Sequence, residues 1–272
     1  MVACHALQWS RGFKQIAEEW TDGDFHRRWP DQVKEIDHAN NRVQLEAYVY
    51  PVLAALPVTT VGREQADEVM RRLPTYLSRN SRRHVGKIVA RVLNLAELAG
   101  YIGRNPLPKG WVPKPGTRKD TPVLYPAEDA MLLASADVPL LYRLFYGFVH
   151  REGGRRTEAA RLQWYGLDLK NGVVQLDQNK TEHARWWKMG EGVAAALRTW
   201  RMLQGWPEDT ALVFQDGENG LNIDHMSNKV QKHLKAALVS RVRLFTKGKN
   251  TLRFGTHAFR HSFTTRNRPR KD

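Results

Sequence analysis

The side chains of this sequence that can do chemistry are cations from three separate segments. Arg155 follows a Gly-Gly pair, Lys180 lies in a polar turn, and His257 precedes Arg260 by three residues. Guanidinium groups bind phosphate oxygens in bidentate geometry, and histidine or lysine can exchange a proton there. Each residue taken alone also fits a surface ion pair, a solvated turn or a structural contact. Taken together, they suggest a phosphate site assembled from distant segments.

Local patterns place these residues on particular elements. A long apolar helix predicted over 139–150 ends before the glycine pair, so that Arg155 opens the next helix. Alternating polar and apolar residues predict a β-hairpin of strands 172–177 and 185–189, with Lys180 at its tip. Thr256 is predicted to cap the last helix, which would place His257 and Arg260 on one face.

Positive charge is segregated along the chain of 272 residues, whose formal net charge is +15. The stretch 71–119 holds twelve lysines and arginines against one acid, and 229–271 holds thirteen and no acid. The remaining residues are net acidic. Two basic blocks, each within sequence predicted to fold, would suit a polyanion that is bound from two sides, as duplex DNA is by a clamp.

The first half of the sequence predicts helices, and the third of these has two contrasting faces. Arg83, Lys87 and Arg91 lie opposite its apolar residues, which are Val85, Ile88, Val89, Val92, Ala96 and Ala99. This polar face is either simply solvated or in contact with phosphates. Three cations without an acidic partner one turn away favour phosphates, so we assign Arg82 and these three to DNA binding.

Three ordered motifs resemble the tyrosine recombinase (phage integrase) family. Residues 153–169 resemble its Gly-x-Arg-x-Ser/Thr-Glu box followed by Leu-x-Trp and Asp-Leu, which identifies Arg155 rather than its neighbour Arg156. Residues 179–181 (Asn-Lys-Thr) resemble its Thr-Lys-Thr, and 256–263 resemble its His-x-Leu-Arg-His-Thr-Phe with phenylalanine replacing the leucine. An Asn-Pro-Leu before the predicted linker and Tyr-Pro-Ala-Glu after it extend the resemblance to nearly the whole chain.

The resemblance implies a mainly α fold, in which a helical, SAM-like core-binding domain joins an α-rich catalytic domain with a small antiparallel sheet. The expected division is an N-terminal extension at 1–12, the DNA-binding core-binding domain at 13–108, a Pro-rich linker at 109–120 and a catalytic domain at 121–272, incomplete at its C-terminus. The two domains would enclose double-stranded DNA.

The resemblance also implies roles for the cations. Strand breakage and rejoining through a 3′-phosphotyrosine concentrates charge on the nonbridging oxygens, which Arg155 and Arg260 would hold without a metal or other cofactor. His257 would bind the phosphate or move the nucleophile's proton, and Lys180 would protonate the departing 5′ oxygen.

Two further residues are expected to support the site, and one required residue is missing. Glu158 would buttress an arginine, and His261 is assigned beside it. Twelve residues follow Arg260 and none is a tyrosine; the last tyrosine is Tyr165. We therefore expect truncation before the nucleophile, by a frameshift or stop, by deliberate shortening, or in a natural regulator. The final residues, 266–272, are predicted to be a frayed basic tail.

Two functions follow as hypotheses. The first is a site-specific recombinase of a mobile element, inactive in cleavage as written; the alternative is a non-catalytic DNA-binding regulator or decoy. Under the first hypothesis, the second partner is an intact recombinase protomer that donates its tyrosine in trans. A metal-dependent nuclease ranks low because the ten histidines are scattered. An RNA-binding role would not explain the order of the three motifs.

Composition excludes several other classes. The single cysteine, Cys4, can form neither an internal disulfide nor a multi-thiolate metal site. The most apolar stretch, 131–149, is interrupted by Asp137, Pro139 and Arg143, so we expect no membrane span. The N-terminus lacks the apolar core of a signal peptide. We therefore expect a cytoplasmic, nucleoid-associated monomer without a small-molecule cofactor.

Overall fold

The computed structural model describes residues 11–35, 38–176, 184–216 and 219–267, so Cys4 and Lys180 lie outside the described residues. The chain divides into two compact units, Met1–Thr117 and Arg118–Asp272. The division falls inside the segment predicted as a linker.

The first unit is built from helices. They are α1 (Phe13–Thr21), α2 (Asp24–Arg28), α3 (Ala39–Gln44), α4 (Tyr50–Leu53), α5 (Arg63–Arg72) and α6 (Arg79–Leu98), with a π-helical turn at Leu45–Val49 and a 3₁₀ turn at Val58–Thr60. Ser78 begins α6 as its N-cap, because its Oγ accepts the backbone N–H of Ser81 at 3.1 Å. The predicted apolar residues within α6 are buried, which confirms its amphipathic pattern.

The Pro-rich segment after α6 packs against this helix up to Gly116. A side chain at Gly86 of α6 would meet the ring of Pro113 at 3.4 Å, so glycine here permits a close approach. The guanidinium of Arg83 donates to the carbonyl of Pro113, and the Gly116 N–H donates to Asn80 Oδ1 at 2.9 Å. This part of the predicted linker is therefore held within the first unit.

The second unit is mostly helical with a small sheet, which confirms the predicted fold class. Its helices are α7 (Pro126–Ala134), α8 (Leu140–Glu152), α9 (Arg156–Ala160), α10 (Glu191–Leu203), α11 (Met226–Ala236), α12 (Val242–Phe245) and α13 (Thr256–Arg266), with a 3₁₀ turn at Trp164–Gly166. Its strands are β1 (Leu167–Asp168), β2 (Val173–Leu176), β3 (Arg185–Lys188), β4 (Gln215–Asp216) and β5 (Asn219–Gly220).

The three-stranded sheet has the antiparallel order β1-β2-β3. Strands β2 and β3 were predicted, whereas the two residues of β1 are too few to give a periodic signal. Val174 pairs with Trp187, and Gln175 pairs with Trp186. Side chains alternate across the sheet, so Trp186 and Lys188 are exposed while Arg185 and Trp187 are partly buried.

An aromatic cluster fixes α13 against α8. Phe259 is fully buried, stacks on Tyr146 with ring centroids 5.1 Å apart, and meets Phe254 edge-on at 4.9 Å. Aromatic pairs of this kind add to the free energy gained by burial alone. The phenylalanine that replaces the leucine of the motif is thus a core residue.

Two local predictions for the last helix are wrong. Gly255 is the N-cap of α13, and Thr256 is its first helical residue with a buried side chain, because the chain enters the helix in an extended conformation one residue earlier. The predicted frayed tail, 266–272, is wrong at its first residue, because Arg266 belongs to α13; residues 268–272 lie outside the described residues. No described helix is long and apolar enough to cross a bilayer.

Candidate functional site

The corner between α8 and α9 brings two distant arginines together. Gly153 ends α8 with a φ of +66°, a conformation that favours glycine, and a Cβ there would overlap the ring of Phe263. Because no side chain intervenes, α13 approaches the corner closely. The guanidinium of Arg260 in α13 then donates to the Gly153 carbonyl. Arg155 lies two residues further along, as the N-cap of α9.

Glu158 binds both the backbone and the side chain of Arg155. The Arg155 N–H donates to Glu158 Oε2 at 3.0 Å, and its Nη1 donates to Glu158 Oε1. The third helical position is the one from which a glutamate reaches back to the N-cap N–H. Arg185 of β3 donates through Nη2 to Glu158 Oε2 at 2.8 Å. One carboxylate is therefore shared by two guanidiniums.

The electrostatics of this cluster favour an anion. Burial lowers the pKa of Arg260, and the charges of Arg155 and Arg185 lower it further, whereas Glu158 opposes the shift. Burial alone would raise the pKa of Glu158, but its hydrogen bonds to Arg155 and the charge of Arg185 bring it below the ordinary 4.5. Three positive charges thus face one negative charge in a partly buried site. A phosphate would relieve their mutual repulsion.

His257 and His261 lie on α13 with Arg260, as predicted. His257 is exposed and lines a cavity of about 260 Å³ with Lys247 and Arg253. Neither histidine makes a side-chain hydrogen bond within the part of the chain that the structure describes. The structure therefore joins Arg155 directly to Glu158 and binds Arg260 to the carbonyl of Gly153, two residues before Arg155. It places both histidines on the same helix as Arg260.

Comparison with known proteins identifies the family. Residues 123–267 match the Phage integrase family, and residues 13–110 match the Phage integrase central domain. The chain belongs to the phage integrase family. The resemblance to tyrosine recombinases is thereby confirmed. No curated protein matches this integrase-family chain.

Solved structures share the fold of this integrase-family chain. A lambda integrase (75–356) dimer bound to a COC′ core site is 13% identical with a TM-score of 0.65, over 91% of this chain and 88% of that one. The Tn1549 transposon integrase in complex with transposon right end DNA is 18% identical with a TM-score of 0.68, over 94% and 86%. A lambda integrase tetramer bound to a Holliday junction is 14% identical with a TM-score of 0.66, over 97% and 77%.

The four cations assigned to DNA binding on α6 differ in what they contact. The guanidinium of Arg82 donates to the carbonyls of Met70, Leu73 and Pro74 at 2.9, 3.1 and 3.3 Å, and that of Arg83 is bound to a carbonyl as described above. Lys87 is exposed, and burial lowers the pKa of Arg91. Neither of these two has an ion-pair or hydrogen-bond partner for its side chain among the described residues.

Two residues that sequence reasoning missed hold the end of α13. His150 is fully buried; its Nδ1 lies 2.7 Å from Asp129 Oδ1, and its Nε2 lies 2.6 Å from Arg266 Nη2. Because arginine only donates, Nε2 must accept, and the proton on Nδ1 is donated to Asp129. Arg151 also binds Asp129, at 2.6 Å. These contacts join positions far apart in sequence, so no local motif predicts them.

Proposed function

We propose that this integrase-family chain binds double-stranded DNA and that Arg155 and Arg260 hold one backbone phosphate. The supporting observation is the excess of positive charge around Glu158, whose carboxylate binds Arg155 and Arg185 while its charge also acts on the nearby Arg260. Guanidiniums match the planar pairs of oxygens on a phosphate and remain charged at any physiological pH. The lambda and Tn1549 integrases that share this fold are described in complexes with DNA.

The roles follow the chemistry of the phosphodiester. The two guanidiniums would bind the nonbridging oxygens and stabilise the charge that develops there during strand exchange. His257, one turn before Arg260, would contact the same phosphate or move a proton, and His261 would support it. Lys180 keeps its proposed role as the acid for the 5′ oxygen. Glu158 would hold Arg155 in orientation.

We propose that these 272 residues bind the phosphate without cleaving the strand, because their eight tyrosines all precede Arg260. Tyr146 is unsuited to attack: its side chain is fully buried, its hydroxyl is 2.8 Å from His233 Nδ1, and burial raises its pKa.

A second protomer with its own tyrosine could use the phosphate site in trans. A regulator or decoy would bind DNA in the same way but would not regain cleavage when an intact recombinase is added.

Fluorescence anisotropy with a random-sequence duplex tests the binding proposal. Loss of one charge-assisted contact in Arg260→Ala should weaken binding by about tenfold or more. Arg156→Ala is the matched control, since it removes the same charge from an exposed residue beside the site; we expect a loss below about threefold. Absence of binding, or equal losses in the two variants, would contradict the proposal. Denaturing gels of the same mixtures should show no covalent adduct.

A further inference from the structure

Arg185 is the one guanidinium of the cluster around Glu158 that the sequence motifs do not single out. We infer that it is a positioning residue, which fixes the orientation of Arg155 by binding the carboxylate that both share. The inference rests on the proposed function only where it concerns DNA. The claim that Arg185 orients Arg155 through Glu158 applies to the protein without DNA.

The two oxygens of Glu158 accept hydrogen bonds from different groups of the two arginines. Oε1 accepts from Arg155 Nη1, whereas Oε2 accepts from the Arg155 N–H at 3.0 Å and from Arg185 Nη2 at 2.8 Å. The side chain of Glu158 is only 9% exposed. Without Arg185, Oε2 would keep a single backbone donor and the carboxylate could rotate about its last bond. Arg155 would then lose the partner that orients it.

The strand itself holds Arg185 toward Glu158. Trp187, two residues along β3, points to the same side of the sheet, and its indole N–H donates to Glu152 Oε2 at 2.8 Å. The other oxygen of Glu152 accepts the N–H of Gly190 at 3.1 Å. β3 is therefore bound both to the end of α8 and to the start of α9. This double attachment distinguishes Arg185 from a solvated surface arginine.

Repulsion among the three guanidiniums explains why Arg155 needs a residue that fixes its orientation. The charges of Arg155 and Arg185 both lower the pKa of Arg260, and these two arginines bind the same carboxylate, so the three guanidiniums repel one another. An empty site would favour rotation of Arg155 toward solvent. A carboxylate held on both sides opposes that rotation and keeps Arg155 ready for an anion.

The free protein provides a test that does not involve DNA. The guanidinium signals of Arg155 in ¹⁵N-detected NMR can be assigned by their loss in Arg155→Ala. In Arg185→Ala these signals should move toward those of a free arginine side chain. They should stay unchanged in Lys188→Ala, which removes one exposed charge from the same strand. Unchanged Arg155 signals in Arg185→Ala would overturn the inference. If Arg185→Ala does not fold, Arg185→Gln is measured instead. Arg155 signals that move in this variant would support the inference, and unchanged signals would overturn it.

A double-mutant cycle links the inference to DNA binding. Arg185→Ala should weaken duplex binding about fivefold to tenfold in the wild-type background and less than about twofold in the Arg155→Ala background. Arg185→Lys, which keeps a charged donor, should recover most of the affinity. Lys188→Ala should have the same effect in both backgrounds.

Equal losses for Arg185→Ala in both backgrounds would overturn the inference. If the wild-type chain bound no DNA, the proposed function would fail and the NMR result would decide the inference alone.

Discussion

Replacing Gly153 by alanine perturbs the corner on which the site depends. The φ of +66° costs an L-residue about 1–2 kcal/mol. The added Cβ would also overlap the ring of Phe263, and its distance to Cγ of that ring would be 3.0 Å. Overpacking of this kind costs about 1–3 kcal/mol. The two effects together predict that Gly153→Ala lowers the free energy of unfolding by roughly 2–5 kcal/mol.

Thermal and urea denaturation followed by circular dichroism measure this loss. At about 2–4 °C per kcal/mol, the melting temperature of the second unit should fall by roughly 4–20 °C. Gly192→Ala is the matched control, because Gly192 lies in α10 with nothing within 4 Å of the added Cβ. That variant should be unchanged or up to about 1 kcal/mol more stable.

A second readout separates the two causes of the loss. Phe263→Ala in the Gly153→Ala background should remove the overlap but leave the cost of the backbone conformation. Because the Gly153 carbonyl accepts from Arg260, the single variant should also bind DNA more weakly. A Gly153→Ala protein within about 0.5 kcal/mol of the wild type would refute the account of the corner.

Three further predictions concern other residues. Arg82→Ala should lower the free energy of unfolding in urea by about 1–3 kcal/mol, since three carbonyls lose their donor. Lys87→Ala should leave stability unchanged and reduce the salt dependence of DNA binding. A stable Arg82→Ala protein together with a destabilised Lys87→Ala protein would contradict the α6 contacts. The lowered pKa of Glu158 contributes stability that is complete above the ordinary carboxyl pKa of 4.5 and is lost as pH falls through the lowered value. In Glu158→Gln the free energy of unfolding should therefore fall less steeply at acid pH than in the wild type. An unchanged dependence on pH would contradict this role of Glu158. Phe259→Leu should cost about 1–2 kcal/mol in thermal denaturation, because the ring stacked on Tyr146 is lost; a neutral result would show that the aromatic cluster does not stabilise α13.

Patterns that lie within one element were predictable from the sequence. The apolar face of α6 follows the helical period, and the strands of the hairpin follow the period of two. Arg155 and Glu158 lie three residues apart, so their contact is the local geometry of a helix start. The order of the motifs then predicted that Arg260 belongs to the same site.

Contacts between distant elements were not predictable in the same way. Nothing near Arg82 in sequence shows that the carbonyls at the end of α5 lie beside its guanidinium. His150 meets Asp129 and Arg266 only after α7, α8 and α13 have packed. Arg185 has no motif of its own, although the alternation of β3 puts it on the same face as Trp187. Sequence periodicity identifies a face of an element but not what packs against that face.

The salt dependence of duplex binding tests most directly whether Arg155 and Arg260 hold one and the same phosphate. The logarithm of the affinity falls with the logarithm of the salt concentration by about 0.9 for each phosphate neutralised. We predict that the double variant Arg155→Ala/Arg260→Ala has a slope smaller than the wild type by about 0.9, the value for a single phosphate. An unchanged slope would show that the site meets no phosphate, and a decrease of about twice that size would show that the two arginines bind separate phosphates.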